Sequence, residues 1–296
     1  MVKFNFISIL FCIVLLSTQV YADSCPDGVE RCGTTEDGFT WTISNIKDEN
    51  GNDVLLSNGQ VAQELNIQGT GDMQDYTRKG EGIAPWKNPD HPGGMANSAP
   101  TITSIVIGDG ITSIGVRAFE DMGSVRNISL PEGLKKIGAE AFLGCPISEI
   151  HLPDSLEELK DYAFYGAQIS NIELPENLEK IGKFSFGDTN HLLNITIPKN
   201  TTISPLAFIK EGGEVFIQNV YCSETNTSCQ ALKNRESMNG RVQFYESDGG
   251  VYFSGNKWYA NVHDIGTANY IKKRIYTVDE AQKVTGAKNR VSITYR

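Results

Sequence analysis

The chain has 296 residues, 26 Lys/Arg against 36 Asp/Glu, a formal net charge of −10 and 40% hydrophobic residues. That is enough apolar mass for one full core or two small ones, and too acidic a balance for nucleic acid or an anionic membrane as main partner. The charge is uneven: residues 23 to 209 carry 13 Lys/Arg against 27 Asp/Glu, whereas 210 to 296 carry 12 against 9, most densely at Lys272-Lys273-Arg274.

Residues 1–22 read as a secretory signal peptide. Lys3 gives a positive start, Ile7 to Leu16 is a short apolar run, and Val20-Tyr21-Ala22 offers a cleavage site after Ala22. A membrane anchor is the weaker reading, because a span needs about 20 apolar residues. A secreted or cell-surface location follows, and the cysteines agree with it. Cys25 with Cys32, and Cys222 with Cys229, each enclose six residues and are expected as local disulfides, each adding about 2 kcal/mol. Cys145 has no equivalent partner and is either a buried thiol in a packed layer or a free reactive one. Neither pair has metal-ligand spacing, so no metal is expected.

After the leader, residues 23–100 form an N-terminal cap. "FTWTISNI" (39–46) alternates like a strand, and Leu65 with Ile67 starts a preliminary turn of the main array. Residues 69–100, rich in Gly, Pro, Asp and Asn, read as a loop anchored by Trp86.

The centre of the chain repeats itself. "IVIGDGITSIGVRAFEDM" from Ile105 recurs as "ISLPEGLKKIGAEAFLGC", "IHLPDSLEELKDYAFYGA" and "IELPENLEKIGKFSFGDT", with a looser "ITIPKNTTISPLAFIKEG" from Ile195. Phe119, Phe142, Phe164, Phe186 and Phe208 fix the period at 23, 22, 22 and 22 residues. Each part of the phrase has a physical reading. Ile-x-Leu puts two apolar side chains on one face of a short strand. Pro131, Pro153, Pro175 and Pro198 end that strand, having no N–H for a ladder. Gly110, Gly133, Ser155, Asn177 and Asn200 then stand where a left-handed turn is expected. Leu134 and Ile137, and their equivalents, turn inward again, and Ala-Phe fills the far side. The phenylalanines read as a spine of core rings rather than a stacking platform for ligand or nucleic acid. One repeat cannot bury these faces alone, so about five coils over 101–220 must stack, making an array roughly 20 to 25 Å long.

This phrase resembles the leucine-rich repeats of the BspA type, and "LNIQGTGDMQDY" (65–76) with Ala84-Pro85-Trp86 is similar to the segment that precedes such arrays. The resemblance implies an α/β solenoid, β-rich: a right-handed superhelix with a parallel sheet on one side and short helical or turn segments on the other. It also implies a surface or secreted protein linked to adhesion or host-protein binding.

Residues 221–247 read as a C-terminal cap and 248–296 as a small α+β appendage of unknown role. "EVFIQNVYC" and "RVQFYE" are strands around the short helix "SCQALKN", and "VYFSGNKWYANV" holds strands about a Gly-Asn turn. Thr277 with Glu280 makes a capping box for a helix through Val284, and "RVSITYR" is a last strand. Trp258, Tyr259 and Tyr270 read as that module's core, with a binding patch as the rival.

Catalysis finds no foothold. His91, His151, His191 and His263 sit in no metalloprotease pattern, and no nucleophile elbow, phosphate loop or dinucleotide fingerprint is present. No enzyme activity and no cofactor are expected. Function belongs on the outward sheet positions, in two columns: Ser104, Asn127, Glu149, Asn171, Asn194, and Val106, Ser129, His151, Glu173, Thr196. Of these, Asn127, Ser129, Glu149, His151, Asn171, Glu173, Asn194 and Thr196 are the candidate contacts to a protein or glycan ligand, centred on Glu149, His151 and Glu173. A plain solvated face is the competing reading. Four Asn-x-Ser/Thr sequons, at Asn127, Asn194, Asn200 and Asn226, matter only in a eukaryotic secretory pathway.

Overall fold

The computed structural model describes residues 25–78, 82–87, 101–223 and 225–234, Val242, and the strands at 20–21, 243–246, 251–254, 257–263 and 270–275. The proposed cleavage point after Ala22, the helix at 277–284 and the strand at 290–296 lie outside the described residues.

Chain order begins with a small antiparallel sheet. β1 (Val20–Tyr21) pairs with β2 (Val29–Thr34), β2 with β3 (Thr40–Asn45), and β3 with β4 (Gln63–Gln68). Alternation in β3 sends Trp41 and Ile43 inward, both fully buried. The Cys25–Cys32 disulfide closes onto β2. A two-residue β5 (Gly71–Asp72) lies inside the stretch expected to be loop.

From β4 onward the pairing turns parallel and the repeats stack as coils. The first strands of the coils are β6 (Ile102–Ile107), β8 (Asn127–Ser129), β10 (Glu149–Ile150) and β13 (Asn194–Thr196). Their register sets Leu65, Ile105, Ile128 and Ile150 side by side. A second parallel sheet was not expected. It runs through β5, β7 (Ile111–Ile114), β9 (Lys136–Ile137), β11 (Glu158–Leu159), β12 (Lys180–Ile181) and β14 (Thr202–Ile203). It aligns Ile114, Ile137, Leu159, Ile181 and Ile203. The apolar pair after each proline therefore builds a wall of its own. All its strands but β7 have two residues, too short for any alternation to show in the sequence.

The third side is a hydrogen-bonded turn edge, with no helix among the described residues of the repeats. Phe119 N donates to Ala141 O (2.8 Å), Phe142 N to Ala163 O (3.0 Å), Phe164 N to Ser185 O (2.8 Å) and Phe186 N to Ala207 O (2.9 Å). The amides of Arg117, Glu140, Tyr162 and Phe184 on one side, and of Asp121, Gly144 and Gly166 on the other, do the same where a left-handed residue re-aims the backbone. Arg117, Glu140, Tyr162 and Phe184 take φ of 55–59°, and Asp121, Gly144, Gly166 and Asp188 take 56–80°. The expected left-handed turn after the prolines is thus corrected: Gly110, Gly133, Ser155, Asn177 and Asn200 have no positive φ. That turn closes by Leu134 N to Pro131 O (3.1 Å) and its equivalents. The polar residues there serve a different purpose, since Ser155 Oγ donates to Leu134 O (2.7 Å) and Asn177 Nδ2 to Asp154 O (2.9 Å) of the preceding coil.

The core is a ladder of rings. Trp86, Phe119, Phe142, Phe164, Phe186 and Phe208 stack with centroids 5.1–5.9 Å apart and interplanar angles of 4–23°. Tyr76 meets Trp86 edge-on at 5.3 Å. Trp86 anchors its loop as expected: fully buried, it also donates from Nε1 to Ala118 O (2.9 Å). These rings are buried to within 2% and offer nothing to a ligand.

At the other end β15 (Asn219–Cys222), α1 (Thr227–Lys233) and β16 (Gln243–Glu246) close the array, with β13, β15 and β16 in a parallel sheet. The strand expected from Glu214 forms only at its second half; Val215 makes an isolated bridge to Ile209. Asn226 caps α1, accepting from Cys229 N (3.0 Å), while its Nδ2 donates to Lys199 O (3.1 Å) and Thr201 O (2.9 Å). The Cys222–Cys229 disulfide closes the same loop. Beyond it, β17 (Val251–Ser254), β18 (Lys257–His263) and β19 (Tyr270–Ile275) form a separate antiparallel sheet. β19 went unpredicted, its lysine-rich pattern reading as surface charge.

Candidate functional site

The outward columns hold together over the first three coils. Ser104, Asn127 and Glu149 are direct partners across β6, β8 and β10, and Val106 pairs with Ser129. Asn127, Ser129, Glu149 and His151 are exposed. His151 Nε2 reaches Glu132 at 3.9 Å, with both side chains about three-quarters exposed. The turn carboxylate Glu132 therefore joins this cluster, a contact that the strand pattern does not reveal. A contact between two side chains this exposed contributes little stability, so both remain available to a partner.

The fourth coil breaks the columns. Asn171 and Glu173 lie outside any strand, so the face does not continue as sheet beneath His151. Strand formation follows the length of the link from each core phenylalanine. Nine residues separate Phe119 from Ile128 and Phe186 from Ile195, and three-residue strands follow. Eight separate Phe142 from Ile150 and Phe164 from Ile172, followed by a two-residue strand and by none. Asn171 Nδ2 turns to Ser170 Oγ (3.1 Å) instead.

In the fifth coil the columns are committed inward. Asn219 Nδ2 donates to Asn194 Oδ1 (2.6 Å), and the Thr196 hydroxyl is buried beside Tyr221 in register. Of the eight expected contacts, the structure pairs Asn127 with Glu149 across the sheet and carries Ser129 on the same strand, while His151 follows β10 just outside it and meets Glu132. It sets Asn171 and Glu173 off the sheet, and covers the polar groups of Asn194 and Thr196.

The remaining candidates resolve into scaffold. Cys145 is fully buried, its Sγ donates to Phe119 O (2.9 Å), and burial pushes its thiol up to about 12, so it is protonated at neutral pH. Among the sequons, Asn226 is held by the contacts above, whereas Asn127 and Asn200 are exposed. Trp258 and Tyr259 fall on β18 and Tyr270 on β19. Among the described residues no group of three or more His, Cys, Asp or Glu is placed to hold a metal ion, and no helix is long and apolar enough to cross a membrane.

At the N-terminal end of the turn edge lies a charge cluster that the spacing did not announce. Arg78 Nε contacts Glu120 (2.5 Å) and its Nη2 contacts Glu140 (2.6 Å), which also binds Arg117 (2.8 Å). Burial holds Glu120 above the usual carboxylate range against the pull of Arg78, and Lys87, buried, donates to Arg117 O (3.0 Å). These contacts clip the lead-in loop onto the first coils. The partners in these contacts stand 23 to 62 residues apart in sequence, so no local pattern could signal it.

The family described as BspA type Leucine rich repeat region matches residues 96–212 in 6 copies, one more than the phenylalanine spacing alone counts. Among solved structures, a leucine-rich repeat protein from Eubacterium ventriosum is 22% identical with a TM-score of 0.44, covering 70% of this chain and 45% of that one. One from Bacteroides ovatus is 24% identical with a TM-score of 0.36, covering 51% and 35%. A leucine rich cell surface protein from Faecalibacterium prausnitzii is 17% identical with a TM-score of 0.41, covering 81% and 60%. The chain therefore spans between about a third and three-fifths of the length of these proteins. No curated protein matches it. Six copies of the motif over coils that stack in parallel register place the repeat array of this chain in the BspA-type leucine-rich-repeat family.

Proposed function

We propose that this is a secreted or cell-surface leucine-rich-repeat protein, a right-handed solenoid that binds a protein or glycan without catalysis through its first parallel sheet. The observation that carries the reading is the exposed, in-register pair Asn127 and Glu149, with Ser129 on the same strand as Asn127 and His151 directly after β10 beside Glu132. A rigid coil stack presents these side chains at fixed spacing, so little ordering is needed on binding. The leader-like N-terminus and two disulfides support an oxidising, extracellular setting.

The test uses the full chain against a panel of immobilised extracellular-matrix proteins. A Glu149→Ala, His151→Ala, Glu173→Ala triple variant should lose retention that the parent shows, and Glu173→Ala alone should lose little. Retention unchanged in the triple variant removes this face from consideration.

A second reading rests on β17–β19, which among the described residues form a sheet of their own. There the appendage holds the protein to an envelope and the repeats are a spacer. A chain ending at Gln243 would be released from the cell surface on that reading and would stay in place on the first.

A further inference from the structure

We propose that the turn edge of the third and fourth repeats is a binding platform for an uncharged carbohydrate chain. Three partly exposed rings tile that edge. Tyr162 lies 5.5 Å from Tyr165 at 50° and 5.0 Å from Phe184 at 43°. They stand outside the buried phenylalanine ladder.

The left-handed turn of the coil does not call for rings here. Tyr162 and Phe184 occupy the left-handed position that each coil requires, at φ 59° and 55°. Arg117 and Glu140 fill the same position in the first two coils, so the coil needs the conformation and not an aromatic. A bulky residue is among the least favourable choices for it. At Gly187 a Cβ would meet Ile209 O at 2.5 Å and the Tyr165 ring at 2.7 Å, so the missing side chain leaves room both for the backbone of the next coil and for that ring.

The rim selects the ligand's chemistry. Tyr162 Oη donates to Glu211 Oε1 (2.7 Å), and Glu211 N donates to Tyr165 Oη (3.2 Å). The Lys183 ammonium stands 4.9 Å from the Phe184 ring centroid. Rings in mutual contact leave no cage for a ligand cation, and Lys183 already takes the cation's place over one face. The Glu211 and Asp161 carboxylates disfavour an anion. What fits is a ligand with C–H faces to lie on the rings and hydroxyls to exchange hydrogen bonds with Glu211 and the two phenols. That describes a neutral pyranose polymer. This edge is a different surface from the strand face above, so the two proposals stand or fall separately.

The experiment is native affinity electrophoresis of the full chain in gels containing neutral polysaccharides: glucan, mannan, xylan or galactan. Retardation is expected in at least one, with affinity falling about tenfold in Tyr162→Asn and in Phe184→Asn. Asparagine suits the left-handed backbone, so the coil should keep its circular dichroism. Tyr165→Ser, at a position without that conformation, carries the test if either asparagine variant misfolds. Lys136→Ala on the second sheet should match the parent. Absence of retardation in all four gels, or equal retardation of the ring variants and the parent, overturns the proposal; so does retardation by charged polysaccharides alone.

Discussion

Replacing Phe142 by Ala tests how far the coils depend on their shared ring ladder. Phe142 is fully buried and lies between two rings, Phe119 at 5.1 Å and 10° and Phe164 at 5.4 Å and 4°. Truncating a buried phenylalanine costs about 3–5 kcal/mol, the upper part applying where the surroundings cannot collapse. Here collapse is blocked by three hydrogen-bonded edges that fix coil spacing, and each lost ring contact is worth about 0.5–1.5 kcal/mol. A loss of about 4–5 kcal/mol is expected. Among the described residues Phe208 stacks on one ring, Phe186 at 5.9 Å, so Phe208→Ala should cost about 1 kcal/mol less. Urea unfolding with the disulfides intact, followed by far-ultraviolet circular dichroism, measures both. A cost for Phe142→Ala below about 1.5 kcal/mol, or one no larger than that for Phe208→Ala, would refute the ladder as the main source of cohesion.

Gly138→Ala should destabilise by about 1–3 kcal/mol, because the new Cβ meets the backbone of Gly115, Ile114 and Val116 at 2.7 Å. Gly133→Ala should be near neutral, since its Cβ meets only Asp109 O at 3.6 Å; thermal unfolding compares the two. Asn226→Asp keeps the helix cap but loses the Nδ2 donor to Lys199 O and Thr201 O, so amides of β15 should exchange at least about tenfold faster. The Cys145 thiol should resist iodoacetamide from pH 7 to pH 9 and label only in denaturant, because burial keeps it protonated across that range. Labelling of the native protein at a free-cysteine rate would contradict its placement beneath Phe119.

The repeat and its core were legible because a 22-residue period writes each core position several times over. Phe119 to Phe208, the Ile-x-Leu strands, the Trp86 anchor and the two disulfide pairs needed only spacing and residue type. What escaped were features made between coils. The second sheet rests on pairs such as Lys136–Ile137, too short to alternate. Four of the left-handed positions carry Arg117, Glu140, Tyr162 and Phe184, none of which signals that conformation, whereas Gly133 does signal it and does not adopt it. The candidate face was half legible: Asn127, Ser129, Glu149 and His151 follow from alternation. The interruption at Asn171–Glu173 follows from a link one residue shorter, a difference visible in the sequence only once its consequence for pairing is known.

Hydroxyl-radical footprinting of the full chain on a retained matrix protein tests the strand face most directly, by comparing oxidation of each side chain in the free and bound states. Binding through the first sheet predicts protection centred on His151 and on the peptide spanning 127–132, with Tyr162, Tyr165 and the 251–275 strands unchanged. Protection confined to the 251–275 strands, with His151 oxidised as fast as in the free protein, would contradict it.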